Sequence, residues 1–467
     1  MRYMMRPLLL FVGICAANMV NAQRYFGVAT SEYSSYNSLF LNPASIAGCN
    51  EKVVVNIFSI GVSADNNLGT FSKLSELGNT NAFTNSGGNQ FSMLVPVAEV
   101  RGPGVLIGLN DPHKQTFALT TRVRGINQFN NFNQSLYKTV TDGTNSSNQN
   151  YTFQTSDFNW TAHIWSELGL SYGIVVVDND ESQLKAGITL RYLGGIDYLT
   201  LKGNNLNVRY TSGNDTFYAS QSDIEYGSNI LSANNAISNG VSTSNLLGSF
   251  FGSKQGGGLG ADVGVSYSYI FGGGGPGSSE DSHKLGLSAS VTDIGAVKYK
   301  EGNNFVVNVT GNGYLTGKGL SDHLNNYNDF RNYIVTQGFT ADTGSRSTKV
   351  YMPTAFLFGA DYQIYQHIYV NATYIANLAN RQNYGNSYYN QLTITPHYDM
   401  KLLSAALPIT YSALAHDMKI GMGFRIGGFF FGSDDMLALF SNHQHGFGFY
   451  MGGCIPIFKK TDKADVK

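Results

Sequence analysis

The sequence predicts an all-β chain: a transmembrane antiparallel β-barrel of about fourteen strands with an N-terminal lumenal segment. Three observations carry that reading. Many segments alternate apolar and polar residues with a period of two, connections alternate between short and long, and the composition is poor in charge but rich in aromatic residues. Only 13% of the residues are charged, about half the share of a soluble domain. Tyr and Phe number 29 each against 2 Trp, as aromatic girdles require. A formal net charge of -1 gives no pull toward nucleic acid or an anionic surface.

The chain begins with a basic stretch, Arg2 and Arg6, then the apolar run Leu8 to Ala17 (LLLFVGICAA) and the small-residue site Val20-Asn21-Ala22. This pattern reads as a secretory signal over residues 1–22, with Gln23 the first mature residue. The run falls short of the roughly 20 apolar residues that a membrane helix needs. Residues 23–52 are expected as an N-terminal lumenal or plug segment, tucked into or beneath the lumen. At their centre is Leu39 to Gly48 (LFLNPASIAG), where Asn42-Pro43 opens a turn and Ala44 begins a run of small residues suited to a confined interior. The barrel is expected over 53–458 and a periplasmic tail over 459–467.

The alternation is sustained. Leu259, Ala261, Val263, Val265, Tyr267 and Tyr269 share one face, with Gly260, Asp262, Gly264, Ser266 and Ser268 on the other. Leu184 to Tyr192, Phe356 to Ile364, Val370 to Leu378 and Ile420 to Ile426 repeat the device. A soluble sandwich also alternates, but it surfaces its polar face with Lys and Glu, which are scarce here. Strands are expected to start near Val53, Pro96, Gln115, Glu167, Gln183, Gly256, Lys284, Pro353, His367, Asn390, Lys401, Met418, Gly428 and Gly446. An even count returns the C-terminus to the periplasm.

Short links lie at Asn110 to Lys114, Asp178 to Ser182, Gln366-His367 and Tyr398 to Lys401. Long polar links lie at Gln128 to Asp157, Tyr198 to Gln255 and Val297 to Met352. Short turns on one side and long loops on the other are the outer-membrane pattern. Within the long links, Asp322 to Ile334 is expected as a short helix and Leu199 to Tyr218 as an extra hairpin.

Catalytic motifs are missing: there is no Walker loop, Rossmann fingerprint, HExxH or CxxC pair, so no enzyme activity and no cofactor are expected. The glycine run Gly272 to Gly275 follows a strand without a helix behind it, which argues against phosphate binding. His443 and His445 lack a nearby third ligand, and Asp434-Asp435 reads as a strand exit, so no metal site is expected. Strand parity directs Arg122, Arg124, Glu167, Lys185, Arg191, Asp262, Asp361 and Arg425 into the lumen, since charge on the lipid face is costly. There they could bind an anionic ligand, tune a pore, or pair with one another and close the lumen.

The patches LNPASIA, VVVNIFSIGVS, EVRGPGVLIGLNDPHKQTFALTTRVRG and FRIGGFFFGSDDML resemble an uncharacterised family of Bacteroidetes outer-membrane barrels, a domain of unknown function. That family is distantly similar to the long-chain fatty-acid transporter (FadL-like) barrels, and similar in plan to the PorV and PorP/SprF barrels of secretion and gliding machinery. The resemblance implies a lumenal plug at Asn42, Pro43 and Ala44. With the barrel type, it implies a passive or gated channel for small hydrophobic or amphipathic solutes. The alternative it leaves open is a non-transporting scaffold that docks an envelope complex. Outer-membrane lipid is the expected surrounding, and a small hydrophobic ligand or envelope proteins are the expected partners.

Cys49 and Cys454 remain in the mature chain and are expected as a disulfide. An exported protein sits in an oxidising compartment, and barrel closure brings the first and last strands together.

Overall fold

A computed structural model describes residues 24–70, 84–85, 90–109, 114–135, 137, 150–179, 181–229, 254–269, 285–301, 304–323, 327–342, 346–381, 383–436 and 445–459. The expected signal over 1–22, turn residues 110–113, the run Gly272 to Gly275, His443 and residues 460–467 lie outside the described residues.

Fourteen barrel strands are present among the described residues. They are β1 (Glu51–Asn66), β2 (Gln90–Arg101 and Gly104–Gly108), β3 (Thr116–Asn133), β4 (Tyr151–Asp178) and β5 (Ser182–Thr211). β6 (Gly256–Tyr269), β7 (Leu285–Tyr299), β8 (Thr348–Tyr351 and Ala355–Tyr365), β9 (Ile368–Asn377) and β10 (Gln391–Asp399) follow. The wall ends with β11 (Leu403–Ala406 and Ile409–Ser412), β12 (Asp417–Ile420 and Met422–Ile426), β13 (Phe429–Ser433) and β14 (Gly446–Phe458). Each pairs antiparallel with its neighbours, and β14 pairs with β1 from Glu51↔Phe458 to Asp65↔Gly446, which closes the barrel. Closure removes the free edges that an open sheet would present.

The period of two has its physical counterpart in the two faces. Ile57, Leu168, Leu170, Leu190, Leu259, Val265, Tyr362, Ile364, Ile455 and Ile457 all stand exposed on the outside, while Asn56, Thr120, Ser171, Thr189 and Asp262 are buried within. An apolar outer band with a polar interior is what a wall surrounded by lipid requires. Each large side chain moved from water into hydrocarbon contributes about 1.5–3 kcal/mol. No described helix is long and apolar enough to cross a membrane, which says nothing of strands.

Most short connections lie at one end, the turn end, and most long ones at the other, the loop end. β4 and β5 are 28 and 30 residues long, against about 10 needed to cross a bilayer. Their surplus, with strands Thr216–Ser228 and Phe305–Thr316, makes a sheet beyond the loop end. Helices Gly317–His323 and Tyr327–Thr336 help cover one face of it, where Tyr226, Val307, Val309, Ile334 and Phe339 pack together. Its other cluster joins Phe91, Phe129, Phe132, Phe158, Trp160 and Phe217.

This head corrects several expectations. The link expected from Gln128 to Asp157 is strand at both of its ends, because β3 continues to Asn133 and β4 starts at Tyr151 rather than near Glu167. Outside the membrane the sheet packs on both faces, so the greasy-and-wet rule no longer marks a strand. The expected hairpin over Leu199 to Tyr218 is present, but its arms are the end of β5 and Thr216–Ser228, and the expected single helix is a pair. β2 starts at Gln90 and carries Pro96 through a break in register between Leu94 and Val97, the kind of place where a missing N–H does no harm.

Candidate functional site in the barrel lumen

The lumen is filled, and its filling is layered. One layer is a set of charges on the inward faces of β2 to β7. Glu99 and Arg101 project from β2, Arg122 and Arg124 from β3, Glu167 from β4, Arg191 from β5, Asp262 from β6 and Asp293 from β7. Antiparallel register sets Glu99 opposite Arg124 and Arg122 opposite Glu167, so opposite charges meet on those rungs, while Arg101 falls opposite Arg122 and the two share Glu99. Arg122 reaches Glu167 at 2.7 Å and Glu99 at 3.1 Å, Arg101 Nε reaches Glu99 at 2.6 Å, and Arg124 reaches Asp293 at 2.8 Å. Arg191 grips Asp262 with two nitrogens and lies 3.3 Å from Glu167. Trp165 Nε1 donates to Glu167 at 2.7 Å. Four guanidinium groups thus face four carboxylates, all with little exposure. Burial of charge at this depth is tolerable only because each group is paired and hydrogen-bonded.

Asp293 is the hub, within 3.4 Å of Arg122, Arg124 and Arg191. Its backbone has φ 58, in a break of register between β6 and β7. Its N–H donates to Asp262 at 2.7 Å. A bulge of this kind re-aims a side chain that regular alternation would place elsewhere.

The second layer is the N-terminal segment. It runs through helical turns at Phe26–Ala29 and Ser35–Ser38 and a 3-10 turn at Pro43–Ile46. Asn42 caps that last turn, its Oδ1 accepting from the Ala44 N–H at 2.9 Å. Its Nδ2 donates to the Val265 carbonyl at 2.9 Å, and Ser290 Oγ donates to the Leu41 carbonyl at 2.6 Å. Pro43 and Ala44 press so closely on β5 that a Cβ at Gly187 would overlap them, and one at Gly264 on β6 would strike Asn42. On the far wall Gly27 meets Gly423 backbone to backbone. The expected plug residues therefore occupy a notch cut by wall glycines. Arg101 ties this layer to the charges: it donates to Asn37 Oδ1 at 2.9 Å and lies over the rings of Tyr25 and Phe40.

Above Arg24 and Phe26, toward the loop end, lies a cavity of about 110 Å³. Leu94, Val97, Ile375, Tyr388, Tyr389 and Phe447 give it an apolar and aromatic lining, and Asp65, Gln391, Lys419 and Asp434 give it polar points. Lys419 pairs with Asp65 at 2.9 Å.

The eight charges expected in the lumen divide. Arg122, Arg124, Glu167, Arg191 and Asp262 enter the central lattice. Lys185 stands in register with Val175, which meets Gly48, so it faces the lumen near the turn end. Asp361 accepts from His397 at 3.2 Å beside Asp399, and the Asp399 carboxylate takes the Glu32 N–H at 3.2 Å. Arg425 donates to the Met400 carbonyl at 2.7 Å and Ser404 Oγ at 2.6 Å. Sequence parity missed Glu99, Arg101 and Asp293. Asp434-Asp435 is buried, and Asp434 takes the N–H groups of Phe26 and Gly27. Among the described residues no three His, Cys, Asp or Glu groups gather as metal ligands.

The expected disulfide is not formed: Cys49 and Cys454 are free thiols. Register explains it. Cys454 stands opposite Asn56, whereas Cys49 lies before Glu51, the partner of Phe458. Four rungs at about 3.4 Å each exceed the roughly 7 Å that a disulfide spans between Cα atoms. Cys49 Sγ points instead to the Glu51 carbonyl at 3.4 Å, and Cys454 Sγ to that of Gly428 at 3.4 Å. Burial, helped by the Glu51 carboxylate, pushes the Cys49 thiol up to about 11.

A closed fourteen-stranded barrel whose lumen is occupied by its own N-terminal segment defines the class. The chain belongs to the family of unknown function DUF5723, whose model matches residues 43–434. No curated protein matches it. Among solved structures it is similar to a deletion mutant of the TodX monoaromatic hydrocarbon channel, at 10% identity, TM-score 0.44, covering 94% of this chain and 98% of that one. It is also similar to the Pseudomonas putida toluene transporter TodX (10% identity, TM-score 0.34, 94% and 97%). A Pseudomonas aeruginosa FadL homologue gives 11% identity, TM-score 0.33, 94% and 98%. At these scores the wall's own topology, rather than the likeness, carries the argument.

Proposed function

We propose that the chain resides in the outer membrane of a Gram-negative envelope and forms a gated passage for small hydrophobic or amphipathic solutes. In the state described here the N-terminal segment closes it. One observation carries this reading: a lumenal cavity of about 110 Å³, lined by Leu94, Val97, Ile375, Tyr388 and Phe447, ends on Arg24 and Phe26 of that segment. Such a mixture of apolar walls and a few polar points suits a solute with a greasy body and a small polar group. The reading includes removal of residues 1–22 on export and assigns no catalysis.

The test is reconstitution in planar bilayers and liposomes, with the intact protein beside one lacking residues 24–42. The intact barrel is expected to stay silent, and the shortened one to conduct and to admit a small aromatic probe. Equal silence from both, with the barrel intact by gel mobility, would defeat the proposal. A second reading, a scaffold that docks an envelope complex, is favoured by the head that β4 and β5 raise beyond the loop end. Crosslinking in native envelopes, with partners captured through the head, is the outcome that would prefer it.

A further inference from the structure

The chain between β9 and β10 does not stay at the rim. Residues 384–390 (YGNSYYN) cross the barrel and fasten to the opposite wall. β10 stands seven strands from β3 in either direction round a wall of fourteen, so the two are diametrically opposed. Yet Gln128 on β3 accepts the Ser387 N–H at 2.7 Å and donates to the Ser387 carbonyl at 2.9 Å. Asn386 Nδ2 donates to the Thr161 carbonyl on β4 at 3.1 Å, and the Tyr389 hydroxyl donates to Asn130. Gln128, Asn386 and Ser387 are at most 3% exposed. An ordinary loop runs over the surface because its backbone groups need water. This one has exchanged water for fixed partners inside the lumen.

Its Tyr388 lies where the layers meet. The hydroxyl bonds with Arg124 and lies 3.4 Å from Asp293, so it enters the charge lattice. Arg24 of the N-terminal segment lies over the same ring, 4.5 Å from its centre, and reaches Thr292 at 3.4 Å. Tyr388 and Tyr389 also line the cavity.

We propose that residues 384–390 are a second constriction of the lumen, latched by Gln128 and coupled to the N-terminal segment through the contact of Arg24 with Tyr388. Full passage then requires release of both obstructions, and release of the first, which loosens the second, gives partial conductance. The transport consequence rests on the passage reading above, whereas the latch and the coupling do not.

The experiment labels a cysteine introduced by Ser387→Cys with a bulky, membrane-impermeant maleimide added from the loop side. Cys49 and Cys454 lie toward the turn end and out of its reach. Asn214→Cys, on an exposed hairpin turn, sets the rate of an open site. Ser387→Cys is expected to label far more slowly. Adding Gln128→Ala or Arg24→Ala is expected to raise its rate about tenfold or more, the scale of one lost buried contact in local opening. Fast labelling without either change overturns the latch, and no response to Arg24→Ala overturns the coupling. Heat-modifiable gel mobility confirms a folded barrel in each case, and Tyr388→Phe, which keeps the ring, should leave the Arg24 response in place. Conductance is then recorded with residues 24–42 removed, with and without Gln128→Ala. Greater conductance in the double change supports two obstructions in series, and full conductance after the first removal alone overturns them. Silence in both, with labelling as expected, defeats the passage and leaves the latch standing.

Discussion

The two segments that fill the lumen differ in what fixes them. The N-terminal segment adds a fit of shape to its hydrogen bonds: Pro43 and Ala44 fit where Gly187 leaves no side chain, and Gly27 touches Gly423 directly. Residues 384–390 are held by polar latches at Gln128, Asn130 and Thr161. A shape fit loses little until a side chain grows into it, and then fails abruptly, because close-packed interiors do not yield gradually. A hydrogen-bonded latch can be undone one partner at a time and re-formed, at about 1–3 kcal/mol for each buried group left unsatisfied. The lumen thus contains a fitted part and a releasable part, resting on one charge lattice.

That contrast can be broken most severely at the charge lattice that both fillers touch. Arg122→Met removes the guanidinium that Glu99 and Glu167 share, leaves the buried lattice with one negative charge in excess, and undermines both fillers together. A loss of about 3–5 kcal/mol is expected, read as a large fall in the temperature at which the barrel unfolds on a gel. Gly187→Val separates the two fillers: it should expel the N-terminal segment, at about 1–3 kcal/mol, while residues 384–390 lose only what the coupling gives them. Limited proteolysis would reveal new cleavage between residues 24 and 48, and an uncleaved segment would contradict the shape argument. Gln128→Ala makes the converse cut, loosening the crossing loop by about 1–3 kcal/mol with no new cleavage in the N-terminal segment. Asn42→Ala removes the cap and the bond to Val265, and about 1 kcal/mol is expected, seen as a small shift in denaturant midpoint. The mildest probe is chemical. With its thiol held up at about 11 by burial, Cys49 should resist alkylation at pH 8 in the folded barrel and react once unfolded.

The fitted part was largely legible in the sequence, and the reason is local. Asn42-Pro43 announces a turn whatever surrounds it, and runs such as Leu184 to Tyr192 declare their inward face by parity. Arg122, Arg124, Glu167, Arg191 and Asp262 followed from the same counting. Glu99 and Arg101 escaped it because Pro96 and Gly102-Pro103 interrupt the count, and Asp293 because its positive φ turns it against the alternation. The crossing loop was invisible for a different reason. Its composition is that of any solvated loop, and the residue that draws it inward, Gln128, lies about 260 positions earlier on the other side of the barrel. The cysteines failed on a matter of rungs, since adjacency of two strands does not set which residues face each other.

Glu51 and Phe458 are rung partners, so the first and last residues of the wall are neighbours. The seam between them joins the most distant pieces of the chain and is the slowest pairing to find. By then the N-terminal segment, leading straight into β1, already has contacts available on β4, β5 and β6. It is thus placed to act as a mandrel, a form around which the wall is bent before its ends meet. Because those ends adjoin, residues 24–50 could be moved behind Phe458 without altering a single strand. The rearranged chain would have to close first and be filled afterwards, and the ratio of the two assembly rates would measure how much the mandrel contributes.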